Sequence, residues 1–321
     1  MKVIVTLNKR IDLLNITLFM DITRKKELYL QKQIRRKFKM LENKVDFIMT
    51  IEVNNANPNG DPLAGNNPRI DSKGYGEISD VCIKRKIRNR MQDEGYEIFV
   101  KSRERQDDGF NSLEERYNEF FKGEKDNLVV EKGFNEKWID VRTFGQVITY
   151  EKKSIGIRGP VSISIGKSLS PIDITTMQIV RSTNGMEAKS QSGRSSDTMG
   201  TKHYVEYGVY AIYGSVNCFF AEKTGFDKDD LEVLKESLRT LFINDSSSAR
   251  PEGSMEVKEI FWFEHSSKLG NVSSAKIREL VTWDKSDSEK DKYEDYNVHI
   301  NEEVFSKLEN EGLNLEIIQG I

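Results

Sequence analysis

Positions 45–53 alternate in polarity. Val45, Phe47, Met49, Ile51 and Val53 are apolar, and their neighbours are mostly polar. A two-residue period predicts a half-buried strand. A dense turn cluster follows at once: NPNGDPLAGNNPRID, residues 57–71, holds three prolines, two glycines and four asparagines. The period then changes. Ser79 or Asp80 can cap a helix to about Met91, in which Ile83, Ile87 and Met91 share one face.

Residues 96–140 are rich in Glu, Lys, Asp and Gly, with aromatics in SLEERYNEFF, and are expected to form a helical insertion. Strand-like runs resume at 141–149 and 161–165. Another, at 176–181, is separated from the long aromatic run 204–220 by small polar residues, 182–202. That separation exceeds an ordinary turn, so it is either functional or disordered. The run 204–220 is β-prone on both faces, as a central strand should be. Asp227 can cap a helix carrying Leu231, Leu234, Leu238, Leu241 and Phe242, and 255–265 is a further strand. The charged residues 284–296 are expected to be exposed. With the insertions set aside, the order is strand, helix, strand, strand, helix, strand. This predicts an α+β protein with the ferredoxin-like arrangement shared by RNA-recognition folds.

Composition narrows the classes. The chain has 321 residues, 37% hydrophobic and 31% charged, enough for one large domain or two ordinary ones. No run approaches eighteen apolar residues, so no membrane partner is expected. Cys82 and Cys218 lie far apart and form no CxxC pair, which suits packed thiols in a reducing cytoplasm. His203, His265 and His299 have no metal-ligand spacing. GxSxG, Walker A and GxGxxG patterns are absent, and neither cofactor nor metal is expected.

The formal charge of −3 is unevenly spread. Residues 1–39 carry eleven Lys/Arg against three Asp/Glu, a net +8, leaving −11 for the rest. They lack the unbroken apolar run of a signal peptide. Met40 reads like a fresh start. Residues 1–39 are therefore expected to lie outside the core fold, as an extension translated from upstream of the natural start. A basic arm touching nucleic acid is the alternative.

Candidate chemistry gathers at the turn cluster. Asp61, Asp71 and Asp80 fit no metal motif and suit turn and cap positions. Glycines let backbone approach a ligand closely, and loop N–H groups can donate to phosphate. Asn57, Asn59, Asn66 and Asn67 could meet sugar or base edges. Arg69, Lys84, Arg85 and Arg88 could pair phosphates, or Lys84, Arg85 and Arg88 could form an ordinary solvated helix face. A second patch is Arg181, Lys189, Arg194, Lys202 and His203. Met199 there is either loop packing or an apolar wedge between bases. Tyr204, Tyr207, Tyr210 and Tyr213 could stack bases, but YGSVNCFF fails the RNP1 pattern and core packing is expected for most. For an endoribonuclease, His203 with Lys202 and Tyr204 is the local candidate.

The opening loop with SDVCIKRKIRN strongly resembles the start of the CRISPR-associated Cas-seven family, in its type I-C form (Csd-two). Similar stretches follow in order: DVRTFGQV at 140–147, IRGPVSISIGKSLSPI at 157–172, TMGTKHYVEYGVY at 198–210, and SSARPEGSMEV with FEHSSKLGN within 247–271. The likeness spans about residues 40–321. It implies a non-catalytic subunit that lines up in several copies along CRISPR RNA as the backbone of the Cascade surveillance complex. Target DNA is then met through the guide, beside other type I-C subunits. The implied fold is an RRM-like palm, a helical finger within 96–140 and a β-hairpin thumb within about 177–203. RNA contacts carry over onto Asn57, Asn59, Arg69, Lys84, Arg85, Arg88, Met199, Lys202 and His203. Thr201 stands where the family often has arginine. Arg142 and Arg158 also lie in these motifs, either touching RNA or bracing the core.

Overall fold

The computed structural model describes residues 39–180, 199–286 and 288–321. Strand β1 (Val45–Ala56) is buried without a break from Val45 to Ile51. It is therefore a central strand, covered on both faces, although its alternation predicted one wet face. Asp46 and Thr50 find partners inside. Asp46 Oδ2 accepts from Lys44 Nζ at 2.7 Å and from His265 Nε2 at 2.8 Å, while His265 Nδ1 accepts from the Asn271 N–H at 3.0 Å. Thr50 Oγ1 donates to the Glu259 carbonyl at 3.2 Å.

After β1 the turn-rich loop folds back as a small ribbon, β2 (Gly60–Asp61) with β3 (Asn67–Pro68). Strand β4 (Tyr75–Ile78) leads into α1 (Asp80–Asp93). Ser79 caps α1 by accepting from the Cys82 N–H at 3.3 Å, and Ile83, Ile87 and Met91 are buried one turn apart.

The insertion comprises α2 (Leu113–Phe121), α3 (Asn127–Lys137), α4 (Ile139–Phe144) and the hairpin β5 (Gly145–Ile148) with β6 (Ile155–Arg158). It has its own core of Phe99, Tyr117, Phe134, Trp138, Ile148, Ile155 and Ile157. That core runs past the expected end at residue 140. The expected strand 141–149 is half helix: Val141 lies in α4, which ends where Gly145 takes φ 83°. The Asp140 carboxylate anchors α4 by accepting from the Phe99 and Val100 N–H groups at 2.8 and 3.1 Å.

Next come β7 (Val161–Ile163), β8 (Gly166–Pro171), β9 (Ile174–Val180) and the 18-residue β10 (Met199–Val216). The last ends four residues before the expected 220. Asn217 accepts from the Phe219 and Phe220 N–H groups at 3.0 and 3.2 Å, so Cys218 to Phe220 open α5 (Cys218–Thr224) instead. Helix α6 (Lys228–Arg239) starts at a capping box, in which Asp227 accepts from the Asp230 N–H at 3.1 Å and Asp230 returns the bond at 3.3 Å. Strand β11 (Met255–His265) follows with the expected bounds. The C-terminal part holds α7 (Ser274–Arg278), the pair β12 (Val281–Thr282) and β13 (His299–Ile300), α8 (Glu302–Glu309) and β14 (Leu313–Gln319).

One large sheet organises these pieces. Its order is β14-β11-β1-β10-β8-β4, with β7 and β9 also paired to β10, and every pairing is antiparallel. The fold is thus mixed α+β. Helices α1 and α6 cover one face, where Ile83, Ile87, Leu234 and Leu238 meet Phe47, Met49, Ile212 and Ile260. On the other, α7 and α8 lay Ile277 and Phe305 against Ile48, Phe261 and Phe263. The charged segment 284–296 also belongs there, and its expected exposure is only partial. Tyr296 is buried, with its hydroxyl 2.8 Å from Ser170 Oγ, and Tyr293 OH donates to Glu259 Oε2 at 2.7 Å. Two tyrosines amid the charges are enough to pin the segment to the sheet.

Candidate nucleic-acid interface

The turn-rich loop is held by its own asparagines. Asn57 is buried and donates from Nδ2 to the Asn66 carbonyl at 2.7 Å; its backbone N–H donates to the Ala249 carbonyl at 2.9 Å. Asn59 Oδ1 accepts from the Ser79 N–H at 2.8 Å, tying the loop to the cap of α1. The expected role of these two side chains at sugar or base edges meets a structural use: they fix the loop's shape. Asn57 Oδ1 is buried and has no hydrogen-bond partner among the described residues. The glycines serve the same compactness. A Cβ on Gly60 would collide with the Asn66 side chain, and Gly65 sits at φ 64° in the left-handed region. The tip is open, with Leu63 at 98% exposure. Arg69 stands half-exposed, 3.5 Å from Asp61 Oδ1.

The acidic candidates occupy turn and cap positions. Asp61 Oδ1 accepts from the Leu63 N–H at 3.0 Å, and Asp80 pairs with Lys84 one turn on, at 2.9 Å. Asp71 accepts from Lys167 and from the Lys73 and Tyr75 N–H groups, which hold its carboxyl down at about 2. Among the described residues no cluster of His, Cys, Asp and Glu could hold a metal ion.

The cations of α1 divide. Lys84 keeps a surface position beside Asp80. Arg85 turns inward and donates to the Val100 carbonyl at 2.7 Å; burial, then the nearby Arg88, lowers its pKa. Arg88 pairs with the fully buried Asp140 at 3.0 Å and lies over the Phe144 ring at 4.9 Å. Both arginines therefore brace the insertion against α1, and the basic helix face expected from the spacing is not a solvated one. Lys86, between them in sequence, is buried in an ion pair with Asp245. Arg142 is also a brace: its guanidinium forks onto Asp230, with both bonds at 2.8 Å. Arg158 stacks 4.1 Å from the Phe220 ring centroid.

The β9–β10 hairpin is built differently. Met199 faces Val180, Lys202 faces Met177 and His203 faces Thr176 across its ladder. Strand alternation puts Met199, Thr201 and His203 on one side, and Lys202 and Tyr204 on the other. Met177, Ile179, Val180 and Met199 are all about half-exposed or more. His203 Nδ1 lies 2.8 Å from Thr176 Oγ1. Lys202 has no ion pair or hydrogen bond among the described residues. Arg181, Lys189 and Arg194 lie outside them. Of the tyrosines, Tyr210 is fully buried, and Tyr207 OH donates to Glu52 Oε1 at 2.7 Å. They pack as expected, and the sheet face that could stack bases is covered by residues 283–296.

A cavity of about 870 Å³ lies under that cover, between β8, β10 and residues 283–286 and 288–296. Carboxylates outnumber lysines along its walls, so it does not suit a phosphate backbone.

Spacing alone missed Arg250 and Asp245. They sit on the loop before β11, in and beside SSARPEGSMEV; Asp245 pairs with Lys86 in the middle of α1, and Arg250 lies 3.6 Å from the same carboxylate oxygen. The available signal was that Arg250 lies within a stretch similar to the family, with Asp245 two residues ahead of that stretch.

A large antiparallel sheet with helices on both faces, a braced insertion and a projecting hairpin defines a mixed α+β protein. The model of the CRISPR-associated protein Cas7 family matches residues 43–301, and the chain belongs to that family. A CRISPR-associated protein Cas7 from Haloferax volcanii is 28% identical over 219 residues. That match covers 60% of this chain and 62% of the relative's length. Two solved chains are more distant. One, from a CRISPR RNA-guided surveillance complex, has 14% identity and a TM-score of 0.41 over 68% of each chain. The other, from such a complex in a pre-nicking state, has 15% identity and a TM-score of 0.43 over 68% of this chain and 75% of its own. Likenesses this distant add nothing to the argument from the family.

Proposed function

We propose that this chain is a non-catalytic backbone subunit of a type I-C Cascade complex. Copies of it bind one CRISPR RNA side by side in the cytoplasm, next to the other type I-C subunits. The guide meets target DNA by base pairing, and the protein holds the ribose-phosphate strand whatever its sequence. The observation that carries this reading is the family match over residues 43–301.

The architecture supports the finer assignment. The central strands run β11-β1-β10-β8, which in chain order is the fourth, first, third and second strand of a ferredoxin-like, RRM-like palm. The helical insertion is the finger, and the β9–β10 hairpin is the thumb. An arm with exposed Met177, Ile179, Val180 and Met199 suits a neighbouring copy, since such surfaces mark interaction sites. Head-to-tail contacts of this kind extend into an open helical array when the rotation does not close. Weak contacts to RNA at each copy then add through avidity.

Separation of His203 from Lys202 and Tyr204 on the hairpin supports the non-catalytic reading over an endoribonuclease. The test is native mass spectrometry of the complex copurified with this chain. The expected result is several copies on one guide RNA with other CRISPR-associated subunits. A lone monomer without RNA, even beside those subunits, would end the proposal. Cleavage of labelled repeat RNA that disappears in His203→Ala would favour the enzyme instead.

A further inference from the structure

The segment of residues 283–286 and 288–296 arches over β8 and β10 without filling the space beneath it. Both ends of the arch are pinned. Trp283 Nε1 donates to the Leu169 carbonyl at 3.3 Å, the Asp284 N–H donates to the Tyr296 carbonyl at 2.7 Å, and the Tyr296 hydroxyl lies 2.8 Å from Ser170 Oγ. The hollow of about 870 Å³ between these pins is therefore built into the fold. Protein interiors leave few voids larger than a water molecule, and small-molecule sites have volumes of roughly 300–1,000 Å³.

Six carboxylates line the hollow against four lysines. Asp71 is taken by Lys167, and Asp284 lies 4.0 Å from Lys290. Asp173 and Glu206 stand at the base of the β9–β10 hairpin, Glu289 and Asp291 on the arch, and none of the four has an ion pair among the described residues. Two walls thus carry negative charge that the protein does not neutralise, and a concave surface concentrates its field. The rings add a second preference. Lys285 lies 5.4 Å from the Trp283 ring centroid, Lys290 5.6 Å from that of Tyr296, and Lys167 5.9 Å from that of Tyr75. The chain's own ammonium groups already use aromatic faces here, and carboxylates remain in excess after they do. Tyr207, also on the wall, has no cation over it among the described residues.

A metal ion would use neither the rings nor the volume, and a single ammonium cannot answer carboxylates on two walls. A chain of methylenes with an ammonium at each end can do both. We infer that the hollow binds a linear polyamine, with ammonium groups on Asp173 and Glu206 at one wall and on Glu289 and Asp291 at the other, and methylenes along the Tyr207 and Trp283 rings. This site and the guide-binding reading above do not depend on each other.

Trp138 and Trp262 are buried, whereas Trp283 lines the hollow, so tryptophan fluorescence reports on it. Spermidine is titrated into the purified full chain, free of RNA. A saturable fluorescence change is expected, and it should vanish in Trp283→Phe. Asp173→Asn combined with Glu289→Gln should weaken binding about 5-fold, as the loss of two solvent-screened charge contacts implies. The melting temperature should not move, because neither carboxylate is paired within the protein. Should the double variant melt early, Glu289→Gln alone, on an exposed side chain, is expected to cost about 2-fold. A change that never saturates, an equal response to magnesium chloride at matched charge, or unaltered affinity in the carboxylate variants overturns the site. A trilysine peptide that binds more tightly than spermidine also overturns it, in favour of a basic protein segment. Each of these failures leaves the guide-binding reading standing.

Discussion

At the junction of the turn-rich loop with α1, the polar and charged side chains answer the protein's own groups. Asn57, Asn59, Arg85 and Arg88 all bond to backbone or carboxylate within the fold. On the β9–β10 hairpin, Lys202 and Met199 face outward with Ile179 and Val180. The two regions share residue types but differ in what lies behind them. The junction backs onto two cores, so its side chains find buried partners. On the hairpin, Met177, Ile179, Val180 and Met199 stay about half-exposed or more among the described residues. On the reading proposed above, a rigid seat would fix geometry within a copy and an exposed arm would reach the next.

The comparison breaks hardest at Asp140. Its carboxylate is fully buried and holds Arg88 with the Phe99 and Val100 N–H groups. Asp140→Ala strands a buried guanidinium and two donors, and should destabilise the protein by about 3–5 kcal/mol in urea unfolding. A loss below about 1 kcal/mol would mean the seat is not braced this way.

The insertion offers a weaker, pH-dependent version. Burial alone would raise the Asp108 carboxyl; bonds from Arg116 at 2.7 and 3.0 Å hold it down at about 2 instead. Because the folded pKa lies below the unfolded one, the pair stabilises the fold fully above about pH 4. That contribution is lost as pH falls from about 4 towards about 2, and is on the order of 1–2 kcal/mol. Asp108→Asn should flatten unfolding free energy against pH over that window. An unchanged profile would assign the acid sensitivity to other carboxylates, such as Asp46, whose bonds from His265 and Lys44 also outweigh burial and lower its pKa.

These contrasts also explain what the chain revealed in advance. The bounds of β11 and the starts of α1 and α6 were legible because period and caps agree there: Ser79 and Asp227 both cap as their types demand. The end of β10 was not, since Asn217 reads as strand-compatible until its side chain caps α5. Tyr293 and Tyr296 were hidden by surrounding charge. The site was legible as a region and not as contacts. Arg85 and Arg88 share the spacing of a solvated basic face, yet their partners, Val100 and Asp140, lie 15 and 52 residues away. No local pattern carries that information.

Changes on the arm should spare the fold. Ile179→Ser with Val180→Thr removes two exposed apolar side chains, and the isolated chain should change in stability by no more than about 0.5 kcal/mol. The assembled complex should instead fall apart at lower concentration in sedimentation velocity. Unaltered assembly would show that the hairpin's apolar surface is not an interface between copies.

The smallest expected effect lies between the two regions, at Lys84. It belongs to the helix of the rigid seat but keeps a partly exposed ammonium, paired one turn back with Asp80. A surface pair of this spacing contributes only about 0.3–0.5 kcal/mol, so Lys84→Gln should barely move the melting curve. If Lys84 touches the guide, its loss lowers the salt slope of RNA binding by about 0.7, equally for every guide sequence. Arg88→Gln should do the reverse, lowering stability first, because its charge is committed to Asp140. A Lys84 variant with an unchanged slope would leave this helix face to bracing alone.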